Sequence, residues 1–325
     1  MLRVLHCIHS LTGGGAETQV RLLVNASEQA GMQAAVCCVD RNSDVPLHGE
    51  IFEIRRRSKL DFSTLTSIRN VIRTFRPDVV HAWLPAAVTI PAMIAAKQSR
   101  VPAVFSYRSA MRFRRPIAYP EYLCAFATVS GVVSNNPAEN SAPPYRRLFH
   151  AKHGTVIPNG LHIEDRWRKS NTETATPLKL IYVGRVIPLK NLPCLVSAVK
   201  LVSESMPVRL EICGEGEEAY AIKELARSMG IESQIALLGF RPDVSALMQA
   251  ADILVLPSLW EGMPNAVMEA MAIGLPCVVS DIVSTRWVDD GQQIFEFFDP
   301  KSARELADKI LRVASTPVQI GRAHV

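Results

Sequence analysis

The 325-residue sequence lacks any uninterrupted apolar run of the roughly twenty residues that a transmembrane helix needs. The apolar stretch Leu2–Ile8 is too short for the core of a signal peptide, and no cleavage region follows it. These absences predict a protein without a membrane span or a secretion signal. We therefore expect a cytoplasmic location.

The sequence also lacks cysteines at the C-x-x-C spacing of many metal sites. Its seven cysteines, at positions 7, 37, 38, 124, 194, 213 and 277, fall mostly in apolar, strand-like segments. The histidines at positions 6, 9, 153 and 162 show no metal-ligand spacing either. We predict reduced core thiols and neither a metal nor a cofactor.

Low-complexity tracts and repeats are absent, and 48% of the residues are hydrophobic, which indicates a globular protein of about two domains. The charge is uneven: residues 1–152 carry 19 Lys and Arg against 10 Asp and Glu, and residues 153–325 carry 17 against 21. The basic segments 55–59 and 112–115 suit an anionic membrane surface. Solvated surface charge explains them equally well, and the absence of a nucleic-acid-binding module argues against nucleic acid as the partner.

Short apolar segments alternate with helix-like segments along the whole chain, which predicts an α/β fold with parallel, doubly wound sheets. A sharp turn at Val156–Gly160 precedes the polar stretch Arg166–Pro177. We place a domain boundary there, which gives domains at 1–160 and 161–319. The expected strands include 2–9, 33–39, 79–82, 101–106, 126–130, 178–183, 208–213, 253–256 and 294–298, and the helices include 16–30, 62–75, 85–97, 189–203 and 303–314.

The segment Asp252–Ser280 predicts a strand, a loop, a helix and a second strand. Backbone N–H groups at Gly262, Met263 and Asn265, together with the helix dipole, suit an anion such as a pyrophosphate. Glu261 and Glu269 suit hydrogen bonds from paired sugar or ribose hydroxyls. An alternative interpretation makes both glutamates ordinary helix residues.

Lys190 is predicted near a helix N-terminus, where a cation has the unfavourable sign for the helix dipole. A bound diphosphate would remove that conflict and would use Arg185 and Lys190 as a charge clamp. A solvent-facing pair is the alternative. The strand-end loops at Gly214 and Phe240 suit the walls of a base-binding pocket.

Gly13-Gly14-Gly15 separates the first predicted strand from the first helix, but it lacks the G-x-G-x-x-G spacing of a dinucleotide-binding site. Glu17 follows as a first-turn acid. His81 and Arg108 are predicted just beyond the ends of strands, where ligands bind in such sheets. A structural role for the histidine is the alternative.

Taken together, these segments resemble glycosyltransferase family 4. The similarity lies in six segments that occur in the family's order: GGGAET at 13–18, IPNG at 157–160, YVGRVIPLKN at 182–191, ICGEGEE at 212–218, LGFRPDV at 238–244 and ADILVLPSLWEGMPNAVMEAMA at 251–272. The last of these carries the family's E-x(7)-E motif as Glu261 and Glu269.

The resemblance implies a GT-B architecture of two Rossmann-like domains, with a nucleotide-diphosphate sugar donor on the C-terminal domain and the acceptor on the N-terminal domain. It implies retaining transfer of a hexosyl or N-acetylhexosaminyl group to a lipid-linked or glycan acceptor, without an obligatory metal. The implied catalytic residues are Arg185, Lys190 and Glu261. The implied donor-binding residues are Gly262, Met263, Asn265, Ala266, Glu269, Gly214 and Phe240, and those for the acceptor are Gly14, Gly15, Glu17, His81 and Arg108.

The sequence departs from the family pattern in two places. Ser106-Tyr107-Arg108 stands where many members have a histidine that orients donor and acceptor. Members usually also continue for some fifty residues, whereas residues 320–325 here match one reading frame of a common sequencing adapter. We hypothesise that this tail is not biological and that a domain-bridging helix is missing.

The resemblance itself favours a transferase of surface polysaccharide or lipopolysaccharide synthesis, working at the inner face of the membrane. Two other functions stay open. A sugar-nucleotide 2-epimerase has the same fold, but no set of acid and base residues for it can be placed in the sequence. A non-catalytic nucleotide-sugar binder would explain the altered histidine position.

Overall fold

The computed structural model describes residues 1–11, 14–39, 47–56, 61, 63–84, 88–108, 127–135, 153–161 and 176–315. The predictions for Gly13, for the basic segment at 112–115, for most of the segment at 55–59 and for the tail at 320–325 lie outside these residues. Backbone contacts divide the chain into two units, Met1–Gly160 and Leu161–Val325.

The N-terminal unit is built on a seven-stranded sheet in the order β3-β2-β1-β4-β5-β6-β7, in which every neighbouring pair is parallel. Its strands are β1 Leu2–Cys7, β2 Met32–Cys38, β3 Glu50–Glu53, β4 Val79–Trp83, β5 Ala103–Tyr107, β6 Gly131–Ser134 and β7 Thr155–Val156. Its helices are α1 Gly15–Ser27, α2 Ser63–Phe75 and α3 Thr89–Gln98. Separate apolar clusters form around α1 and around α2 with α3, so the central strands are buried on both faces.

The C-terminal unit is built on a six-stranded parallel sheet in the order β10-β9-β8-β11-β12-β13. Its strands are β8 Leu178–Val183, β9 Val208–Cys213, β10 Ile235–Gly239, β11 Ile253–Leu256, β12 Cys277–Ser280 and β13 Glu296–Phe298. Its helices are α4 Leu192–Ser203, α5 Ala219–Ser228, α6 Val244–Ala250, α7 Asn265–Ile273, α8 Val283–Asp289 and α9 Ala303–Ser315, with 3₁₀ turns at Pro188–Lys190 and Glu232–Gln234. The prediction of doubly wound parallel sheets is confirmed.

The predicted strand at 126–130 is wrong. The strand is Gly131–Ser134, because these residues pair with Val104–Tyr107 of β5. Thr128 is helical and Val129 packs into the core, so its apolar character reflects burial and not a strand.

Two elements were missed, and one helix starts late. Strand β3 has only four residues with a glutamate at each end, and α8 begins with Val-Ser-Thr, which are poor helix formers. The helix predicted from Leu189 begins at Leu192, because Asn191 adopts a left-handed conformation with φ 55°.

Among the described residues no helix is long and apolar enough to cross a membrane. The six cysteines of that part of the chain are free thiols. Burial raises the pKa of Cys277 well above its ordinary value and that of Cys213 to about 11, so both are inert core thiols.

Candidate functional site

In the C-terminal unit the predicted donor residues lie at the carboxyl ends of the strands. The strand order reverses between β8 and β11. Open α/β sheets bind ligands at such a topological switch point. Lys190 follows β8 and Glu261 follows β11. Residues that are far apart in the sequence therefore meet at the point where the fold favours a ligand.

Lys190 and Glu261 form an ion pair, with 2.5 Å between Nζ and Oε1. The side chains are only 15% and 11% exposed. The hydroxyl of Ser258, which is fully buried, donates to the same Oε1 at 2.6 Å. A cation and a carboxylate are thus held together in a largely desolvated place, where electrostatic interactions are stronger than in water.

The glycines at neighbouring strand ends bring the loops into direct backbone contact. The Gly184 N–H donates to Cys213 O at 3.0 Å, and the Gly214 N–H donates to Gly239 O at 2.7 Å. Gly184 and Gly214 have φ values of 153° and 147°, which strongly favour glycine. These contacts determine where the loop after β8, with Arg185, leaves the sheet.

Arg185 and Phe240 both extend toward solvent. The Arg185 carbonyl accepts a hydrogen bond from the Tyr182 hydroxyl at 2.8 Å, while the guanidinium side chain is exposed. Phe240 is 64% exposed, and its N–H donates to Glu215 Oε1 at 3.4 Å. An exposed cation and an exposed ring at this edge are available to a phosphate and to a base.

Helix α7 starts at Asn265, immediately after Pro264, which has an extended conformation. Gly262, Met263, Asn265 and Ala266 are all half-buried. Glu269 is the fifth residue of this helix, and burial raises the pKa of its carboxyl to about 7. The anion site and the ribose contact that were predicted here remain predictions.

The raised pKa of Glu269 predicts a pH-dependent stability. From its ordinary value of 4.5 up to about 7 the folded protein retains a proton that the unfolded chain has lost, so the free energy of unfolding falls as the pH rises through this window. Glu269→Gln removes this loss and is expected to be more stable than the wild type above pH 7, by about 3 kcal/mol at most. Near pH 4.5, the lower end of this window, Glu269→Gln and the wild type should have similar free energies of unfolding.

Urea unfolding at about pH 5 and about pH 8, where the two protonation states dominate, measures this difference. Glu204→Gln, at an exposed position after α4, is the matched control. An equal offset between the Glu269 variant and the wild type at both pH values would contradict the prediction.

Sequence reasoning missed Asn191 and Ser258. The Asn191 amide donates to Pro257 O at 3.1 Å and to Pro300 O at 2.8 Å, and so it ties together the loops after β8, β11 and β13. An asparagine between a lysine and Leu-Pro could have indicated a left-handed residue before a helix. Nothing local marked Ser258 as the partner of Glu261.

In the N-terminal unit the glycine-rich turn leads into α1. Gly14 is the residue before the helix, Gly15 its first residue, and Glu17 accepts a hydrogen bond from the Ser10 hydroxyl at 3.2 Å. Gln19, which was not predicted, donates to Gly160 O and accepts from Gly160 N–H, both at 2.8 Å. This reciprocal pair fixes the turn at 157–160 against α1.

His81 lies inside β4 and not beyond its end, because Trp83 continues the pairing with Ser106 of β5. Its Nε2 is 2.7 Å from Ser106 Oγ. Burial, with smaller effects from His6 and Arg108, holds its pKa well below the ordinary value. His81 is therefore a neutral ring near neutral pH.

Arg108 does follow the end of β5, as predicted. Its guanidinium lies 4.4 Å from the centre of the Trp83 ring and donates to Asn159 Oδ1. Asn135 Nδ2 donates to the same oxygen at 3.2 Å. Sequence reasoning missed both asparagines, which follow the ends of β6 and β7. In the part of the chain that the structure describes, no group of His, Cys, Asp or Glu could hold a metal ion.

Two family profiles match the chain. The profile of glycosyltransferase family 4 matches residues 13–165, and that of the group 1 glycosyl transferases matches residues 177–316.

Two relatives and one solved structure illustrate the similarity. The Escherichia coli UDP-Gal:alpha-D-GlcNAc-diphosphoundecaprenol alpha-1,3-galactosyltransferase is 31% identical over 68% of this chain and 62% of that protein, so the chain matches less than two thirds of its length. The Rhizobium meliloti lipopolysaccharide core biosynthesis glycosyltransferase LpsD is 28% identical over 88% of this chain and 80% of its own.

Anabaena HepE, solved with UDP and glucose, superposes with a TM-score of 0.80 at 20% identity, covering 98% of this chain and 94% of the HepE chain. This likeness confirms the predicted GT-B fold. The two profiles, which match residues 13–165 and 177–316, show that the chain belongs to glycosyltransferase family 4, among the group 1 glycosyl transferases.

Proposed function

We propose that this glycosyltransferase moves a hexosyl or N-acetylhexosaminyl group from a UDP-sugar to a lipid-linked or glycan acceptor, with retention of configuration. The main support for the proposal is the desolvated Lys190–Glu261 ion pair at the topological switch point between β8 and β11. The choice of uridine rests on the E. coli relative, whose name specifies UDP-Gal, and on HepE, which has been solved with UDP-glucose.

In this proposal the donor diphosphate lies between the loop after β8 and the start of α7. Arg185 and Lys190 stabilise the negative charge that grows on the leaving diphosphate, as preorganised cations do. Backbone groups at Gly262, Met263 and Asn265 and the first turn of α7, with Ala266, support the phosphates and the sugar. Glu261 accepts from a sugar hydroxyl, Glu269 from the ribose hydroxyls, and the loops at Gly214 and Phe240 enclose the base.

The reaction exchanges one bond at the anomeric carbon of the donor sugar for another. The bond from that carbon to the diphosphate oxygen breaks, and the bond to the acceptor oxygen forms on the same face. The acceptor hydroxyl proton passes to the leaving diphosphate, so the charges balance without a separate base. Gly14, Gly15, Glu17, His81 and Arg108 would bind the acceptor.

We place the reaction in lipopolysaccharide or exopolysaccharide synthesis, at the cytoplasmic surface of a membrane. The LpsD relative supports the first of these settings. Arg69, Arg73, Arg76, Lys97 and Arg100 are exposed near the ends of α2 and α3, and such a basic surface attracts anionic headgroups. Binding to vesicles that contain anionic lipid would support this placement.

Product analysis tests the proposed transfer. The chain is incubated with UDP-glucose, UDP-galactose or UDP-N-acetylglucosamine, with and without an N-acetylglucosamine diphosphate lipid, and the UDP and the lipid products are measured. We expect acceptor-dependent UDP release and a lipid that is heavier by one sugar. UDP and free sugar formed equally without acceptor, with an unchanged lipid, would contradict transfer and favour the epimerase alternative.

A further inference from the structure

A second polar cluster lies in the N-terminal unit, at the carboxyl ends of β5, β6 and β7. Arg108, Asn135 and Asn159 follow these three neighbouring strands. Both Arg108 and Asn135 donate to Asn159 Oδ1, so the three side chains form one connected group. Asn135 and Asn159 are 2% and 8% exposed. This is the edge at which parallel sheets bind ligands.

Arg108 carries a positive charge that nothing in the described part of the chain neutralises. No carboxylate forms an ion pair with it there, and burial lowers its pKa to about 10. The Trp83 ring gives a cation–π contact, which stabilises a cation without cancelling its charge. His81 and His6 are neutral near neutral pH, because burial lowers the pKa of His81 strongly and that of His6 to about 4. Among the described residues, the cluster therefore holds a positive charge without a group of opposite charge.

Two buried polar atoms of the cluster, the donor Arg108 Nε and the acceptor Asn135 Oδ1, have no hydrogen-bond partner among the described residues. Buried polar atoms are nearly always paired in proteins. A ligand that pairs with both atoms needs an oxygen that accepts from the guanidinium, for which an anionic oxygen is best suited, and an O–H or N–H group that donates to the amide oxygen.

Hydrogen bonds from neighbouring buried residues fix the position of this cluster. Trp83 is fully buried, and its Nε1 donates to His6 Nδ1 at 3.1 Å. Asn159 precedes Gly160, whose backbone is held on α1 by both polar atoms of the Gln19 amide. The guanidinium is therefore positioned before a ligand arrives, and such preorganisation favours binding.

We propose that Arg108, together with Asn135, binds a glycosyl phosphate group of the acceptor, with Arg108 on the phosphate and Asn135 on a neighbouring sugar hydroxyl. The planar guanidinium suits phosphate oxygens. This inference rests on the proposed function and narrows it: the acceptor carries a phosphate next to its sugar, and an uncharged glycan binds less well. Trp83 and Asn159 are positioning residues.

Binding of small probes tests this site without turnover. Calorimetric titration of the wild type with N-acetylglucosamine 1-phosphate, N-acetylglucosamine and inorganic phosphate should rank the sugar phosphate first. Arg108→Gln should weaken its binding by about tenfold or more, because a charge-assisted hydrogen bond is lost. Arg108→Lys retains the positive charge but not the two parallel N–H donors of the guanidinium, so its affinity for the sugar phosphate should fall less than that of Arg108→Gln. Arg304→Gln, at an exposed arginine of α9, is the matched control and should bind like the wild type.

Titration of the same protein variants with UDP shows whether Arg108 binds the phosphate of the acceptor or the diphosphate of the donor. We expect Arg108→Gln to bind UDP as the wild type does. A variant that loses UDP but retains the sugar phosphate would overturn the inference, because Arg108 would then serve the donor. Equal binding of the sugar phosphate by Arg108→Gln and the wild type, or no binding by either, would also overturn it. Failure of the wild type to bind UDP would instead refute the proposed function. Thermal unfolding of each variant confirms that it is folded.

Discussion

Lys190→Ala is expected to lower kcat by about a hundredfold to a thousandfold while leaving the fold intact, because removing one preorganised group that stabilises transition-state charge has effects of this size. Lys190 is the cation of the desolvated pair with Glu261. In the proposed reaction its attraction for the diphosphate grows as the bond to the sugar breaks, so the loss should fall on kcat more than on KM. Rates of UDP release over a range of donor concentrations measure both.

Lys200→Ala is the control for this change. Lys200 is also a lysine of the C-terminal unit, but it lies on the surface of α4 and its side chain is 42% exposed. Its Nζ is 4.0 Å from Oε1 of the exposed Glu204. Its removal should leave kcat unchanged. Because Lys190→Ala leaves Glu261 without its cation, the variant will lose some stability, and the assay temperature must lie below its unfolding transition. A kcat within a factor of about two of the wild type would contradict a role in charge stabilisation.

Gly214→Ala is expected to destabilise the protein by about 4 kcal/mol or more, through steric overlap and backbone strain together. A Cβ at this position would lie 2.8 Å from the carbonyl carbon of Gly184 and closer still to its oxygen. The obstructing group is backbone, which cannot move aside like the end of a side chain. The residue also has φ 147°, a conformation that alanine rarely adopts.

Gly230→Ala separates the two contributions. Gly230 also has a positive φ, 71°, but a Cβ there meets nothing within 4 Å. We therefore expect only the cost of the left-handed backbone, about 1 kcal/mol. Urea unfolding curves of the two variants give the difference. Equal losses would show that the close approach of the Gly184 and Gly214 loops is not what demands glycine at position 214.

The sequence predicted the C-terminal unit closely, since its buried parallel strands are short apolar runs. Strands β8, β9 and β11 have the predicted bounds. The elements that were missed lack this signal. Strand β3 is short with charged ends, α8 starts with the poor helix formers Val-Ser-Thr, and the position of β6 depends on pairing with β5. Tertiary pairing determines such elements more than local propensity does.

The same contrast applies to the site residues. Lys190 and Glu261 were singled out because each stands in a motif with a chemical reason for its charge. The structure joins them in an ion pair that the sequence did not predict, and their roles in donor binding stay predictions. Ser258, Asn191, Asn135 and Asn159 could not be singled out, because their roles come from contacts with residues that are distant in the sequence. The placement of His81 beyond its strand was wrong: the predicted strand at 79–82 already included it, and the pairing of Trp83 with Ser106 extends β4 by one residue more.

The proposed function requires that the topological switch point between β8 and β11 binds a nucleoside diphosphate. Thermal unfolding in the presence of UDP, GDP or ADP measures this binding, with Glu269→Ala as the site variant and Glu204→Ala as the surface control. We expect UDP to raise the Tm progressively with concentration, as a ligand of the folded state does. The rise should be smaller in Glu269→Ala and unchanged in Glu204→Ala. A folded wild-type protein whose Tm does not respond to any of the three nucleotides would refute the proposed donor site.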